Sequence, residues 1–128
     1  MPIVTTRDDE RRRITVTVSD PWSAEEIAVS LEHQLTDRAW KYGTLYDVRG
    51  ASVIPAEPDV LWLVKQAQQH IARHGARGSV AVLIEPGITG TQLQQYSEYA
   101  AAQSRMLLRV FVDEAEANAW LDGTVIND

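Results

Sequence analysis

Alternation of polar and apolar residues marks the first regular segment of the chain. Between positions 13 and 18 every second residue is apolar, which predicts a half-exposed β-strand whose inward face carries Ile14, Val16 and Val18. Residues 3 to 7 have a similar composition, and the acidic turn residues 8 to 10 separate the two segments, so we expect a β-hairpin. The basic run 11 to 13 is interpreted as solvated hairpin surface, because the neighbouring acids nearly cancel its charge.

Three later segments carry apolar residues at helical spacing. The first runs from a capping box of Ser23 and Glu26 to about Ala39, and its predicted inward residues are Ala24, Ile27, Ala28, Leu31 and Leu35. The second follows a proline-containing stretch, and its predicted inward residues are Val60, Leu61, Val64, Ala67 and Ile71. The third is predicted to begin with a capping box of Thr91 and Gln94, with inward residues Leu93, Tyr96 and Ala100.

Apolar runs between these helices predict three further strands. Residues 45 to 48 are β-prone, residues 80 to 84 are entirely apolar, as expected for a central parallel strand, and residues 106 to 112 form the last run. A short helix capped by Asp113 follows, with inward residues Ala117, Trp120 and Leu121. The order β-β-α-β-α-β-α-β-α predicts an α/β fold with one mixed, mostly parallel sheet of about five strands and four helices.

Composition narrows the class of protein. The chain has 128 residues and no cysteine, and its 18 acidic and 12 basic residues give a net charge of −6. We therefore expect a single domain over residues 1–128, without disulfides or thiolate metal sites, and we exclude nucleic acid as a partner. The charged N-terminal segment and the absence of an apolar run of about 20 residues predict no signal peptide, no transmembrane segment and a cytoplasmic location.

Three segments carry a family resemblance. They read LYDVRG at 45–50, GSVAVLI at 78–84 and LRVFVDEAEANAWL at 108–121. In these segments, and in their order along the chain, the sequence resembles the SpoIIAA-like family of small bacterial proteins, which are related to STAS domains and also described as STAS or SEC14-like. The resemblance implies a SpoIIAA-like fold and a non-catalytic regulatory or protein-interaction module. The alternative that it implies is a small-ligand or lipid carrier with a SEC14-like pocket between helices and sheet.

One feature of the family is not matched. Its best-known members are anti-sigma-factor antagonists, switched by phosphorylation of a serine that opens the helix after the strand corresponding to residues 45–48. Here the equivalent stretch, residues 53–58, reads VIPAEP and contains no serine, and Ser52 comes several residues too early. The phosphorylation switch is therefore not carried over to this chain.

The sequence shows no recognisable catalytic or cofactor motif. It has no G-x-S-x-G elbow, no P-loop and no G-x-G-x-x-G turn, so we expect neither an enzyme nor a bound cofactor. His70 and His74 are four residues apart on one predicted helix, but no third ligand accompanies them, so no metal site is predicted. Asp47 and Glu85 end neighbouring strands and could form an acid-base pair, although pairing of Asp47 with Arg49 is favoured.

Topology suggests a binding rim, and aromatic residues suggest an interface. Carboxyl ends of parallel strands and amino ends of the following helices meet along one edge of an open sheet. A small anion could bind on that rim, although plain turns and helix caps are the favoured reading; the candidate residues are Arg49, Gly50, Ser52, Gly87, Thr89, Gly90 and Thr91. We also expect surface aromatics at Trp22, Trp40 and Trp62, and a homodimer through Trp62, with local packing over loops as the alternative.

Overall fold

Five strands and four helices alternate along the chain, in the predicted order. The computed structural model describes residues 3–52, 56–104 and 106–124, except for the side chains of Ile88 and Thr89. The elements are β1 (Ile3–Asp8), β2 (Arg13–Ser19), α1 (Ala24–Thr36), β3 (Gly43–Gly50), α2 (Glu57–His74), β4 (Val80–Leu83), α3 (Ile88–Ser104), β5 (Leu108–Phe111) and α4 (Glu114–Gly123).

The strands form one mixed sheet in sequential order, β1-β2-β3-β4-β5. β1 and β2 form the predicted antiparallel hairpin, in which Ile3 lies opposite Val18. The three other pairs are parallel, and Val80 of β4 lies opposite Leu108 of β5. Because the parallel strands run in one direction, their amino ends form one edge of the sheet and their carboxyl ends form the other.

Helix α4 alone covers one side of the sheet, which we call the α4 face. It packs against β3, β4 and β5. The cluster that it forms with them is almost fully buried and consists of Leu45, Ala81, Leu83, Phe111, Ala117 and Leu121, with Trp120 at its margin. The predicted inward residues of this helix are thereby confirmed.

Helices α1, α2 and α3 cover the opposite side, which we call the three-helix face. α2 lies between α1 and α3 and contacts both. The sheet presents two apolar clusters to this side. One is centred on Ile14, Val16 and Val18 of the hairpin, and the other on Val80 and Val82 of β4 and on Ile84, which follows it. The alternation predicted for β2 is confirmed, since Ile14, Val16 and Val18 are at most 3% exposed.

Two of the three predicted helix caps are present. The hydroxyl of Ser23 accepts a hydrogen bond from the Glu26 amide, and the Asp113 carboxylate accepts from the amides of Ala115 and Glu116. The third predicted cap, formed by Thr91 and Gln94, was wrong, because α3 begins at Ile88 and Thr91 already lies within its first turn. There the Thr91 hydroxyl donates to the carbonyl of Gly87 at 2.9 Å instead of capping the helix.

The first helix is shorter than predicted. It ends at Thr36 rather than near Ala39, because Arg38 adopts a positive φ of 61°, which an α-helix does not accommodate. The apolar residues that follow the helix therefore belong to a turn. Ala39 nevertheless remains fully buried beneath the helices.

Burial corrects four of the sequence interpretations. Arg13 is not solvated but is 5% exposed, because α4 covers it. Leu61 is 46% exposed, because the buried face of α2 is narrower than predicted. Among the expected surface aromatics, Trp40 is buried and donates from Nε1 to the Gly75 carbonyl, and Trp22 is half-buried within the hairpin cluster.

Candidate ligand-binding cavity

A cavity of about 200 Å³ lies between the sheet and the three helices. β3 and β4 form its floor, α2 forms its roof, and α1 and α3 form its sides. Its wall is almost entirely apolar and is made by Val18, Trp22, Ile27, Leu31, Tyr46, Val48, Ala51, Val60, Leu63, Val64, Ala67, Arg77, Val80, Val82, Leu93, Tyr96, Ser97, Ala100, Ser104, Met106 and Leu108.

The size of the side chains explains why space remains here. The floor is largely valine, and the helices above it present small residues such as Ala67 and Ala100. These side chains are too short to meet across the space between α2 and the sheet. The residues of α3 that the sequence predicted to be inward, Leu93, Tyr96 and Ala100, are accordingly half-buried and face the cavity.

Two polar residues, Arg77 and Ser104, lie at the same edge of the sheet and line the cavity. Arg77 precedes β4, and Ser104 ends α3 before β5 begins. Because β4 and β5 are paired and parallel, both residues lie towards the amino edge of the sheet. Residues such as Val18, Val48 and Ala51, which lie towards the carboxyl edge, are apolar. The charged residue of the wall and its unpartnered serine hydroxyl therefore lie at one end of the cavity, and no other charged residue among those described lines it.

The guanidinium of Arg77 is buried among neutral groups. The residue is 7% exposed, and its guanidinium carbon lies 5.0 Å from the centre of the Trp40 ring. Its Nη2 donates to Gln34 Oε1 at 2.9 Å and to Thr44 Oγ1 at 3.3 Å. Within the described part of the chain, Nε has no hydrogen-bond partner. A buried cation that meets only neutral partners is costly unless an anion joins it.

The hydroxyl of Ser104 is also buried without a partner among the described residues. The residue is 4% exposed. Ser97 on the same helix differs, because its hydroxyl donates to the Leu93 carbonyl at 2.8 Å. Serine hydroxyls inside helices commonly make such a bond to a preceding carbonyl, so the unused Ser104 hydroxyl is available to a ligand.

A second pocket, of about 270 Å³, lies at the carboxyl edge where the sequence predicted a binding rim. Four of the predicted residues line it together: Arg49, Ser52, Gly87 and Gly90. Gly50 and Thr91 lie outside its wall, and the side chain of Thr89 lies outside the described residues. A Cβ at Gly90 would lie 1.9 Å from the carbonyl oxygen of Glu85, so only glycine allows α3 to begin so close to β4.

The hydrogen-bond donors of this rim already face carboxylates. Nη2 of Arg49 lies 2.8 Å from both Asp47 Oδ2 and Glu114 Oε1, and its hydrogen bonds hold the pKa of Asp47 below its usual value. The Ser52 amide donates to Asp20 Oδ2 at 2.8 Å, and its hydroxyl bonds the same oxygen. Asp47 is thus paired with Arg49, as the sequence favoured. Binding of an anion at the rim stays a prediction, and the arrangement of charges around the rim works against it.

The remaining candidates are spread over the molecule. The rings of His70 and His74 lie 6.3 Å apart, and no group of three or more metal-binding side chains occurs in the described residues. Trp62 is 38% exposed on α2, and Tyr99 on α3 is 40% exposed. The homodimer through Trp62 stays a prediction.

Sequence reasoning missed Arg77 and Ser104 as candidate site residues. Arg77 lies in a short loop between Gly75 and Gly78, directly before a strand that is apolar throughout. A basic side chain at the start of a doubly covered strand is the signal that could have identified it. Ser104 gives no such signal, because its serine resembles several others along α3.

Fold and cavity together define an α/β protein with an apolar chamber under three helices. No family model matches the chain, and no curated protein matches it. The chain is similar in structure to an uncharacterized protein of the DUF3478 family from Shewanella loihica PV-4, which has a SpoIIAA-like fold. The two are 14% identical, the match covers 93% of this chain and 91% of that one, and the TM-score is 0.61. The fold is therefore SpoIIAA-like, as the resemblance implied. None of the helices in the described residues is both long and apolar enough to cross a membrane.

Proposed function

We propose that this protein is a non-catalytic binding protein that holds a small, largely apolar molecule between its helices and sheet. The observation that carries the proposal is the cavity of about 200 Å³ with its apolar wall. Of the two functions that the resemblance implied, the ligand carrier fits this observation directly. At about 30 Å³ for each water-sized group, the cavity accommodates a chain of about seven such groups.

The composition of the wall favours binding over catalysis. Its described residues include two serines and two tyrosines, but neither a carboxylate nor an imidazole that could activate them. Small side chains at Ala67 and Ala100 maintain the space, although larger ones would add buried contacts and stability. A binding function explains why space is retained at the expense of packing. We place the protein in the cytoplasm, consistent with a sequence without cysteine.

The test compares two alanines on α3. Ala100 lines the cavity, whereas Ala102 is exposed two residues later on the same helix. Octanoate and octanamide, two eight-carbon probes, are titrated into the parent, Ala100→Leu and Ala102→Leu by calorimetry. We expect at least one probe to bind the parent, Ala100→Leu to weaken that binding at least tenfold, and Ala102→Leu to leave it unchanged. The proposal is wrong if neither probe binds, or if the two variants behave alike.

A specific observation also favours the second function, an interaction module. Leu61 and Trp62 are adjacent on α2 and are 46% and 38% exposed, so an apolar area formed by these two side chains faces solvent. We propose self-association through this area. Light scattering of the parent should give a dimer mass that Trp62→Glu reduces to a monomer, while Gln95→Glu on an exposed position of α3 leaves it unchanged. A monomeric parent removes this second function.

A further inference from the structure

We infer that the molecule bound in the cavity is an amphiphile with one carboxylate, which Arg77 and Ser104 bind at the amino edge of the sheet. The inference rests on the proposed function, because it names the chemistry of the ligand in the same cavity. Three observations carry it: the charge of Arg77, the hydroxyl of Ser104 and the apolar remainder of the wall.

The first observation is that Arg77 lacks a countercharge within the described residues. Its guanidinium is always protonated, and both of its hydrogen-bond partners, Gln34 and Thr44, are neutral. Arg13 is buried to the same extent, yet it pairs with the carboxylate of Asp122. Burial alone therefore does not explain why Arg77 has no carboxylate partner among the described residues. Nε–H of Arg77, like that of Arg13, is buried without a partner among the described residues, so the feature that distinguishes Arg77 is its uncompensated charge. An anionic ligand in the cavity that Arg77 lines would compensate this charge.

The second observation is the Ser104 hydroxyl. It is buried, it lines the cavity, and no described residue accepts its proton. A hydroxyl and a guanidinium N–H are two donors for the oxygens of one anion. Two donors suit a carboxylate, whereas a phosphate, with three oxygens and nearly two charges, requires more.

The third observation, the apolar remainder of the wall, determines the chemistry of the rest of the ligand. From the polar end the wall continues over Val80 and Val82 towards Val18 and Trp22, without another charged side chain among the described residues. The group attached to the carboxylate is therefore apolar, and the volume of the cavity limits it to a short chain. A monocarboxylic acid of about eight carbons combines both properties.

The experiment compares a charged and a neutral probe of equal length. Octanoate and octanamide differ only in the head group, so their affinities at pH 7.5 report on the carboxylate. We expect calorimetry to show octanoate binding to the parent at least tenfold more tightly than octanamide, since a charge-assisted hydrogen bond is stronger than a neutral one. Octyl phosphate is expected to bind more weakly than octanoate.

Variants assign the effect to the two residues. Arg77→Met removes the charge but keeps an unbranched chain, and it should bring the ratio of the two affinities close to one. Ser104→Ala should weaken octanoate binding about fivefold to tenfold. Ser97→Ala is the matched control, because this hydroxyl also lines the cavity but is already bonded within α3, and it should leave the affinity unchanged.

The outcomes separate this inference from the proposed function. Equal affinities of octanoate and octanamide in the parent, or tighter binding of octyl phosphate, overturn the carboxylate and leave the binding function standing. Binding of neither probe overturns both. If Arg77→Met does not fold, the comparison of Ser104→Ala with Ser97→Ala decides, and equal octanoate affinities of those two variants overturn the inference.

Discussion

Each face of the sheet buries an arginine, but only one of these arginines has a carboxylate partner among the described residues. On the α4 face, Arg13 at the start of β2 pairs with Asp122 and bonds Asn118, both on α4. On the three-helix face, Arg77 before β4 meets only the neutral Gln34 and Thr44 among the described residues. The described residues supply a carboxylate partner for Arg13 and only neutral partners for Arg77. The two faces therefore differ in whether the charge of their buried arginine is compensated.

Packing also differs between the α4 face and the three-helix face. On the α4 face, Leu83, Ala117 and Leu121 are at most 1% exposed. On the three-helix face, Leu93, Tyr96 and Ala100 of α3 remain half-buried around the cavity. Helix α4 is also held near both ends, by Arg13 at its last turn and by Arg49 at Glu114 in its first. The α4 face is therefore closely packed and held by ion pairs near both ends of its helix, whereas space remains on the three-helix face.

The largest expected effect compares one leucine from each face. Leu121→Ala removes a side chain that is 1% exposed in the α4 cluster, and we expect it to lower the free energy of unfolding by about 3 to 4 kcal/mol. Leu63→Ala on the half-buried roof of the cavity should lower it by less than about 2 kcal/mol, because this side chain makes fewer close contacts. Urea unfolding measures both. Equal losses would show that the two faces are equally well packed.

The next effect concerns the countercharge on the α4 face. Asp122→Asn keeps the shape of the side chain but leaves the buried Arg13 without its carboxylate. We expect a loss of about 1 to 2 kcal/mol in the free energy of unfolding, reduced from the value for a fully buried pair because the Asp122 side chain is 53% exposed.

Glu116→Gln provides the control for Asp122→Asn, as another acidic residue on the same helix that is exposed. It should change the free energy of unfolding by less than about 0.5 kcal/mol. If both variants lose the same amount, Arg13 does not depend on Asp122 for its countercharge, and the contrast between the two arginines is lost.

The sequence predicted the fold well, because hydrophobic periodicity records which side of each element is covered. The alternation in β2 and the uninterrupted apolar run at 80–84 gave the order and type of the elements, and the structure confirms both. Errors arose where tertiary contacts override a local pattern. Thr91 and Gln94 have the spacing of a capping box, yet α3 begins earlier because Gly90 allows close approach to the carbonyl of Glu85.

The cavity could not be predicted in the same way. Periodicity shows that Leu93, Tyr96 and Ala100 point inward, but it does not show whether opposing side chains are long enough to meet them. Arg13 and Arg77 also look alike in the sequence, since each is a basic residue near the start of a strand. Their partners, Asp122 and Gln34, lie 109 and 43 residues away, so only the folded chain distinguishes the arginine with a carboxylate partner from the one whose partners among the described residues are neutral.

The smallest expected effect tests the second contact that holds α4. Arg49 bonds Asp47 on β3 and Glu114 on α4, and the first of these contacts lowers the pKa of Asp47. A lowered pKa in the folded state means that the ionised carboxylate contributes stability above its unfolded pKa of about 3.9, and that this contribution is lost as the pH falls. Arg49→Gln should therefore cost about 0.5 to 1 kcal/mol at pH 7, a small value because the guanidinium is 37% exposed.

The difference between the parent and Arg49→Gln should shrink when urea unfolding is repeated at pH 3, because this pH lies below the unfolded pKa of Asp47 and the stability contributed by its ionised carboxylate is partly lost there. Arg73→Gln, at an exposed position of α2, should differ little from the parent at either pH. A loss in Arg49→Gln that is the same at pH 7 and pH 3 would mean that Arg49 acts through packing rather than charge. The α4 face would then be held by its apolar cluster and Arg13 alone. The pairing of Arg13 with Asp122 would be the remaining charge contact that distinguishes the two faces.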